Sequence, residues 1–256
     1  MDKVISSAAE AVADIGDGAS IAVGGFGLCG VPLTLIEAVY ATGAAELSIV
    51  SNNCGTIGLG LGRLLDAGRI TRARGSYVGE NKELARRYLG GEIELELIPQ
   101  GTLSEKLRAG GCGIPAFYTP AGVGTMVAEG GLPWRYGPDG EVAVASPPKE
   151  VREFGGREYV LEESITTDFA LVRAARGDRH GNLVFHRSTR NFNPLCAMAA
   201  RTAVAEVEEL VDALDPDEVH LPGIFVQRVV ALTPEQAADK PIEKRTVTRV
   251  RGANDQ

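Results

Sequence analysis

The first 110 residues alternate between short apolar runs and segments with helical spacing. Buried strands are predicted for the apolar runs at residues 21–23, 47–53, 69–76 and 92–98, the last with one solvent-facing side. Apolar residues recur at helical spacing over residues 2–15, 32–42, 56–67, 80–89 and 102–109, with Ser104 or Thr102 near the start of the last helix and Gly43 ending the second. This alternation predicts an α/β fold, a mostly parallel open sheet with helices on both faces.

Loops that follow neighbouring parallel strands lie at the same edge of a sheet, where such proteins bind ligands. Three loops of the predicted sheet carry glycine or amide residues, at positions 24–30, 52–55 and 99–102. We therefore expect these three loops to converge on one site.

The second half of the chain has a different pattern. Residues 111–135 are rich in glycine, proline and aromatic residues and are expected to form ordered loops that cover the site or contact a partner. Hairpin turns are predicted at Asp139-Gly140 and at 154–157. Strands of a second, β-rich region are predicted for residues 167–175, 182–186 and 202–208. We expect one domain over residues 1–235 and a charged tail over 236–256 that is frayed from residue 240 onward.

The composition of the chain argues against several classes of protein. With 256 residues and a net charge of −8, the chain can bury a full core and is a poor candidate for nucleic-acid binding. Its four cysteines have wide, irregular gaps, which favours free thiols in the cytoplasm over a zinc site. Residues 1–18 contain acidic residues and no long apolar core, so we expect them to be neither a secretory signal nor a membrane span. We predict no metal and no membrane association.

The most distinctive stretch is the glycine-rich segment from Asp17 to Pro32. A short strand leads into Gly24-Gly25-Phe26-Gly27-Leu28-Cys29-Gly30, and Pro32 suits the start of a helix. Such a loop can direct backbone N–H groups at an anion or a developing oxyanion. The same glycines could merely make a tight turn. They also match the dinucleotide motif G-x-G-x-x-G, but the second strand ends in Ser51-Asn52-Asn53 and not in the acid that would hold a ribose.

Two further loops carry neutral amides. Asn52 and Asn53 end the second strand, where asparagine is unusual, and Gln100 follows the fourth strand. A simple turn would explain the two asparagines. Alternatively, all three amides can donate hydrogen bonds to a carbonyl or carboxylate oxygen, and one such donor can contribute roughly 3 kcal/mol of transition-state stabilisation. Because these donors are uncharged, they would not neutralise the negative charge of a carboxylate nucleophile nearby.

Several segments together resemble the class I coenzyme A transferases, in their A (alpha) half. They are DGASIAVGGFGLCGVP at 17–32, SNN at 51–53, SYVGEN at 76–81, PQGT at 99–102, GIPAFYTP at 113–120, DFALV at 168–172 and TRNF at 189–192. The resemblance extends to about residue 230. The SYVGEN segment favours the subgroup that moves CoA from succinyl-CoA to a 3-ketoacid such as acetoacetate, with the 3-oxoadipate subgroup as the alternative.

This resemblance implies a ping-pong transfer through a glutamyl-CoA thioester. In the family the glutamate lies in an S-E-N-G motif of the B half, which is absent from this sequence. Glu80-Asn81 belongs to the A half's own SYVGEN segment, and Lys82 replaces the glycine of that motif. The resemblance thus implies that the partner is the B half of the enzyme, in a heterodimer or an α2β2 heterotetramer. It implies no permanently bound cofactor, with a CoA thioester as substrate. It places residues 24–30 at the CoA, and Asn52, Asn53 and Gln100 opposite the partner's glutamate.

Two other classes remain as alternatives. One is a non-catalytic ligand-sensing module of related fold, which would carry a DNA-binding helical domain. The other is a sugar-phosphate isomerase-like hydrolase, which would need an acid/base pair beside the glycine loop, where the three loops supply only amides.

Overall fold

The centre of the molecule is one large, mostly parallel sheet. The computed structural model describes residues 1–79 and 81–241. Within them the strands are β1 Ser20–Val23, β2 Leu47–Val50, β3 Ile70–Gly75, β4 Glu94–Leu97, β5 Ala116–Thr119, β6 Pro133–Tyr136, β7 Val142–Ala145, β8 Val151–Phe154, β9 Arg157–Glu163, β10 Thr167–Asp178, β11 Leu183–Val184, β12 Ala200–Val211 and β13 Arg228–Ala231. Seven strands run parallel in the order β13-β12-β10-β1-β2-β3-β4, and β11 pairs antiparallel with β10.

Helices cover both faces of this sheet, as predicted. They are α1 Ala8–Ala11, α2 Leu33–Thr42, α3 Gly62–Asp66, α4 Lys82–Leu89, α5 Gln100–Gly111, α6 Met126–Glu129, α7 Asn193–Ala199 and α8 Pro234–Ala238. One buried hydrophobic cluster packs helices α1, α2, α3 and α4 against the sheet, and a second packs α5 and α7 against it. No helix of the described ranges is long and apolar enough to cross a lipid bilayer.

The predicted helix over residues 2–15 is wrong in extent, since only Ala8–Ala11 is helical. Its first residues instead lie along β13, where Ile5 N–H donates to Val229 O and Val229 N–H donates to Lys3 O. The pairing of this segment with a strand more than 220 residues away overrides its helical spacing.

Two other helix boundaries also differ from the prediction. The segment 56–67 is helical only at α3, because residues 56–59 form a tight turn. Helix α5 begins at Gln100, directly after Pro99, and neither Thr102 nor Ser104 caps it. The predicted end of α2 is confirmed, with Gly43 in the left-handed region at φ 84°.

The second half confirms the β-rich region but corrects the place of three strands. The two hairpins at Asp139-Gly140 and 154–157 are present, in a β6-β7 pair and a β5-β9-β8 antiparallel sheet. Residues 111–135 contain β5, α6 and the start of β6 where only loops were expected. The strands predicted at 167–175, 182–186 and 202–208 do not form a second sheet: they are β10, β11 and β12 of the main one. Most of the predicted tail, residues 242–256, and Glu80 lie outside the described residues.

Candidate active site

The glycine loop after β1 is a tight, closed turn. Phe26 and Cys29 exchange two backbone hydrogen bonds of 3.0 and 2.9 Å, with Gly27 and Leu28 at the tip. Gly25 and Gly27 have φ of 113° and 59°, values that side chains disfavour. Phe26 is 47% exposed, so the loop presents an apolar residue to its surroundings.

A second glycine turn of the same kind follows β2, which the sequence reasoning missed. Thr56 and Leu59 exchange backbone hydrogen bonds as Phe26 and Cys29 do. Its glycines at 55, 58 and 60 all have positive φ, and Ile57 at its tip is 65% exposed. The signal was present in the spacing of these glycines, which is close to that of 25, 27 and 30. Twin turns therefore lie side by side at the carboxyl ends of β1 and β2.

The asparagines after β2 hold these turns in place. Asn53 accepts the Gly55 N–H through Oδ1 at 2.8 Å, and its Nδ2 lies 3.4 Å from Gly27 O and 3.2 Å from Asn52 Oδ1. Asn52 is only 3% exposed. The structure thus brings the two asparagines to the glycine turn, with Asn52 buried and Asn53 linking one turn to the other.

Gln100 reaches the same edge from a helix. It occupies the first turn of α5, is exposed, and its side-chain amide makes no hydrogen bond to another described residue. Together with Phe26 and Phe192 it lines an open depression of about 510 Å³. The first N–H groups of α5 have no side-chain cap, so the helix start contributes backbone donors to this depression.

The predicted convergence of the three loops is present, although the amides differ in their surroundings. Gln100 lies beside Phe26 of the glycine loop, whereas Asn53 lies beside Gly27 on a small cleft between the two turns. The residues lining the depression and the cleft are glycines, apolar residues, hydroxyls and amides. This edge can therefore donate hydrogen bonds to an oxygen without neutralising a carboxylate nearby.

Asn193 is a central residue of the site that the sequence did not point out. It is fully buried; its Nδ2 donates to Gly30 O at 3.0 Å and to Thr189 O at 2.9 Å, while its Oδ1 accepts the N–H of Arg173. Asn191 adds a 3.1 Å hydrogen bond to Cys29 O. The signal was the run of asparagines in TRNFN, of which the resemblance covered only the first four residues.

A buried carboxylate caps the N-terminus of helix α2, which begins directly after the glycine loop. Pro32 precedes α2 and provides no side-chain cap, and Glu206 of β12 accepts the N–H of Leu35 at 2.9 Å instead. Burial raises the pKa of Glu206 to about 7, an effect that the nearby Arg173 opposes. The Arg173 guanidinium also binds Glu208 and backbone carbonyls of Ala237 and Asp239.

Comparison with known proteins identifies the family. The family model described as coenzyme A transferase matches residues 5–232. The chain therefore belongs to the coenzyme A transferase family, a class of enzymes.

Two relatives and one solved structure show how far the similarity extends. A Mycobacterium tuberculosis protein, named as the probable A subunit of a succinyl-CoA:3-ketoacid coenzyme A transferase, is 63% identical over 249 residues, which cover 96% of this chain and 99% of the relative. Human succinyl-CoA:3-ketoacid coenzyme A transferase 2, mitochondrial, is 52% identical over 96% of this chain and 48% of its own length. The crystal structure of an acyl-CoA transferase from Escherichia coli O157:H7 has a TM-score of 0.74 and 25% identity, over 92% of this chain and 48% of that one. The chain thus spans about half the length of the human and E. coli proteins.

Proposed function

We propose that this chain is the A subunit of an enzyme that transfers CoA from succinyl-CoA to a 3-ketoacid such as acetoacetate. The observation that carries the proposal is the meeting of the glycine loop with the amides of Asn53 and Gln100 at one edge of the sheet. Its substrate assignment is supported by the 63% identity to the M. tuberculosis protein of that name, over 99% of the relative.

The second subunit supplies the nucleophile in this proposal. Its glutamate carboxylate attacks the thioester carbonyl of succinyl-CoA, and the CoA thiolate leaves as a mixed anhydride forms. The thiolate then attacks the glutamyl carbonyl, which releases succinate and leaves a glutamyl-CoA thioester. The carboxylate of the ketoacid then attacks the glutamyl-CoA thioester, which releases the CoA thiolate and forms a second mixed anhydride. The thiolate attacks the ketoacyl carbonyl of this anhydride, which gives the ketoacyl-CoA and regenerates the glutamate.

Each of these attacks places negative charge on a carbonyl oxygen. Gln100 is the amide we assign to that oxygen, because its side chain is exposed in the depression beside Phe26. We assign Asn53 to the same work from the cleft, and Asn52 to support Asn53 through the 3.2 Å contact of their side chains. Residues 24–30 then form the wall along which the CoA thioester lies.

The experiment is reconstitution with a second chain that contains S-E-N-G. We expect the pair to convert succinyl-CoA and acetoacetate to acetoacetyl-CoA and succinate, and this chain alone to be inactive. Full activity of the purified chain alone would contradict the proposal. Equal turnover of acetoacetate and 3-oxoadipate would contradict the assigned acceptor and leave the family reaction intact.

Three further points belong to the same proposal. Residues 1–235 form one domain with 236–256 appended to it, which is supported by a sheet that places β1 between β2 and β10. The partner assembles with this chain as a heterodimer or an α2β2 heterotetramer. The enzyme works in the cytoplasm, where free cysteines such as Cys29 and Cys112 stay reduced.

A further inference from the structure

A second cavity lies away from the glycine turns, between the β3-β4 edge of the main sheet and the antiparallel sheet. Its volume is about 400 Å³. Its charged lining comes from β3, β4, α5, β9 and the segment between β7 and β8, and its apolar lining comes from Trp134, Pro147, Pro148, Leu161 and Ile165. Neither Gln100 nor the glycine loop contributes to it. The size is within the range of cavities that enclose a small organic molecule.

A group of three charges lines this cavity, of which Glu162 and Lys106 are buried and Lys149 is half-buried. Glu162 is 1% exposed and receives two hydrogen bonds of 2.6 Å, one from Lys106 Nζ and one from Lys149 Nζ. Two ammonium groups share a single carboxylate, so the triad has a net charge of +1. Glu162 compensates one of the two positive charges, and the other remains beside the cavity, where a bound anion could compensate it.

The ammonium groups also have donors to spare. Each has three N–H bonds, yet Lys106 and Lys149 each make one side-chain hydrogen bond to the described residues. Lys106 is only 6% exposed, so bulk water does not surround it. Both charge and hydrogen bonding therefore call for an acceptor in the cavity.

The other cations that line the cavity already have partners. Arg72 Nε lies 2.9 Å from Glu94 Oε1 and Arg74 Nε lies 3.1 Å from Glu96 Oε2, so each charge has a counter-ion, although neither Nε makes a hydrogen bond to the described residues. Glu150 and Glu163 are exposed, so water and salt screen their charges. The lysine triad thus carries one positive charge in excess beside the apolar walls, and the half-buried Lys149 brings that charge to the cavity.

We propose that this cavity binds a small organic monocarboxylate, with its carboxylate between Lys106 and Lys149 and its apolar body against Trp134 and the two prolines. One negative charge matches the net charge of the triad. Two carboxylate oxygens can accept hydrogen bonds from both lysines. The apolar lining favours a hydrocarbon body over a second charged group.

The test uses cyclohexanecarboxylate as the probe and cyclohexanecarboxamide as its neutral counterpart. Trp134 is the only tryptophan of the chain and lies in the cavity wall, so its fluorescence reports binding directly. The full chain is titrated alone and in complex with the second subunit. We expect a saturable fluorescence change with the carboxylate and at least about tenfold weaker binding of the amide.

Variants of Lys149 locate the binding charge. Lys149→Gln removes the excess positive charge and is expected to weaken carboxylate binding by about tenfold or more, whereas Lys149→Arg retains it. Lys82→Gln is the matched control, because Lys82 is an exposed lysine outside this cavity. Lys149→Arg changes the side chain but keeps its charge, so a loss of binding in this variant would indicate that any substitution at position 149 disturbs the fold.

Three results would overturn the assignment: no response to the carboxylate, equal binding of the amide, or unchanged binding in folded Lys149→Gln. All three are independent of CoA transfer. Their outcome is therefore separate from that of the reconstitution experiment.

Discussion

The side-chain oxygen of Asn193 occupies the position that a Cβ on Gly24 would take. Gly24 has no positive φ, so its backbone would accept a side chain, and it is the neighbour that excludes one. Asn193 in turn binds Gly30 O at the far end of the loop. Asn193, the first residue of α7, therefore requires a glycine at position 24, and Asn193 can reach Gly30 O only because position 24 has no side chain.

This relationship predicts a thermodynamic coupling between the two positions. Gly24→Ala is expected to cost about 1–3 kcal/mol through overpacking, and Asn193→Ala a similar amount through lost hydrogen bonds. The double variant is expected to lose less than the sum, by about 1 kcal/mol or more, since Asn193→Ala removes the clash. Urea unfolding of the four proteins measures the cycle.

Gly27→Ala is the control for this cycle. Gly27 has a φ of 59° and open space around its Cα, so alanine there costs about 1 kcal/mol through backbone strain alone. Its effect should add to that of Asn193→Ala. If the losses in the free energy of unfolding caused by Gly24→Ala and Asn193→Ala were additive, the two positions would not be coupled.

Gln100 and Asn52 are expected to behave differently when their amides are removed. Gln100→Leu should leave the melting temperature of the chain nearly unchanged, because the side chain is exposed, yet lower kcat of the reconstituted enzyme about 100-fold or more. Asn52→Leu should lower the melting temperature, because Asn52 is buried among strand ends. Thermal melts and steady-state kinetics of the complex separate the two effects. An unchanged kcat in Gln100→Leu would remove Gln100 from the proposed oxyanion donors.

Glu206 predicts a specific pH dependence of stability. Its pKa in the native protein is raised from 4.5 to about 7, chiefly by burial. Between these pH values the native protein holds a proton that the unfolded chain releases, so this group's contribution to stability falls as pH rises and is constant above about 7. The change is on the order of 3 kcal/mol.

The variant Glu206→Gln tests this expectation. Glutamine keeps an oxygen that can accept the Leu35 N–H but has no proton to lose. The free energy of unfolding of the variant relative to the wild type should therefore increase from pH 5 to pH 8. A difference that is flat over this range would mean that Glu206 keeps its ordinary pKa.

The four cysteines should differ in reactivity. Burial raises the pKa of the Cys54 and Cys196 thiols to about 12, whereas Cys112 is exposed and Cys29 half-buried in the glycine loop. Iodoacetamide should therefore modify Cys112 first and leave Cys54 and Cys196 intact in the folded chain. Peptide mass spectrometry after short labelling measures the order. Addition of CoA should slow labelling at Cys29 and not at Cys112, if the glycine loop contacts CoA.

Local signals in the sequence were sufficient for local features. The left-handed Gly43 after α2 and the Asp139-Gly140 hairpin each follow from the conformational preferences of a few adjacent residues. The apolar residues also indicated β1, β2 and β4, which the three loops follow, and therefore the side of the sheet on which the loops meet. The edge of the site could be located in this way.

Pairing between distant segments could not be predicted from such signals. The strands β10 and β12 have the apolar pattern of any buried strand, and nothing local shows that β10 pairs with β1 and not with a strand of the second half. The same applies to Asn193: its role depends on its position against Gly24 and Gly30, which are more than 160 residues away in the chain. Asn53 was found because it follows a strand directly, whereas Asn193 begins a helix whose place in the fold was unknown.

The contact between Glu206 and Leu35 has a consequence for the order of folding. The start of α2 and the glycine loop beside it lie near the N-terminus, but the carboxylate that caps the helix is 171 residues further along the chain. Contacts of such long range form slowly, because the loop between them must close first. We therefore expect the loop to reach its final shape only after β12 has docked, so that a ribosome-bound N-terminal half would not yet display the completed site.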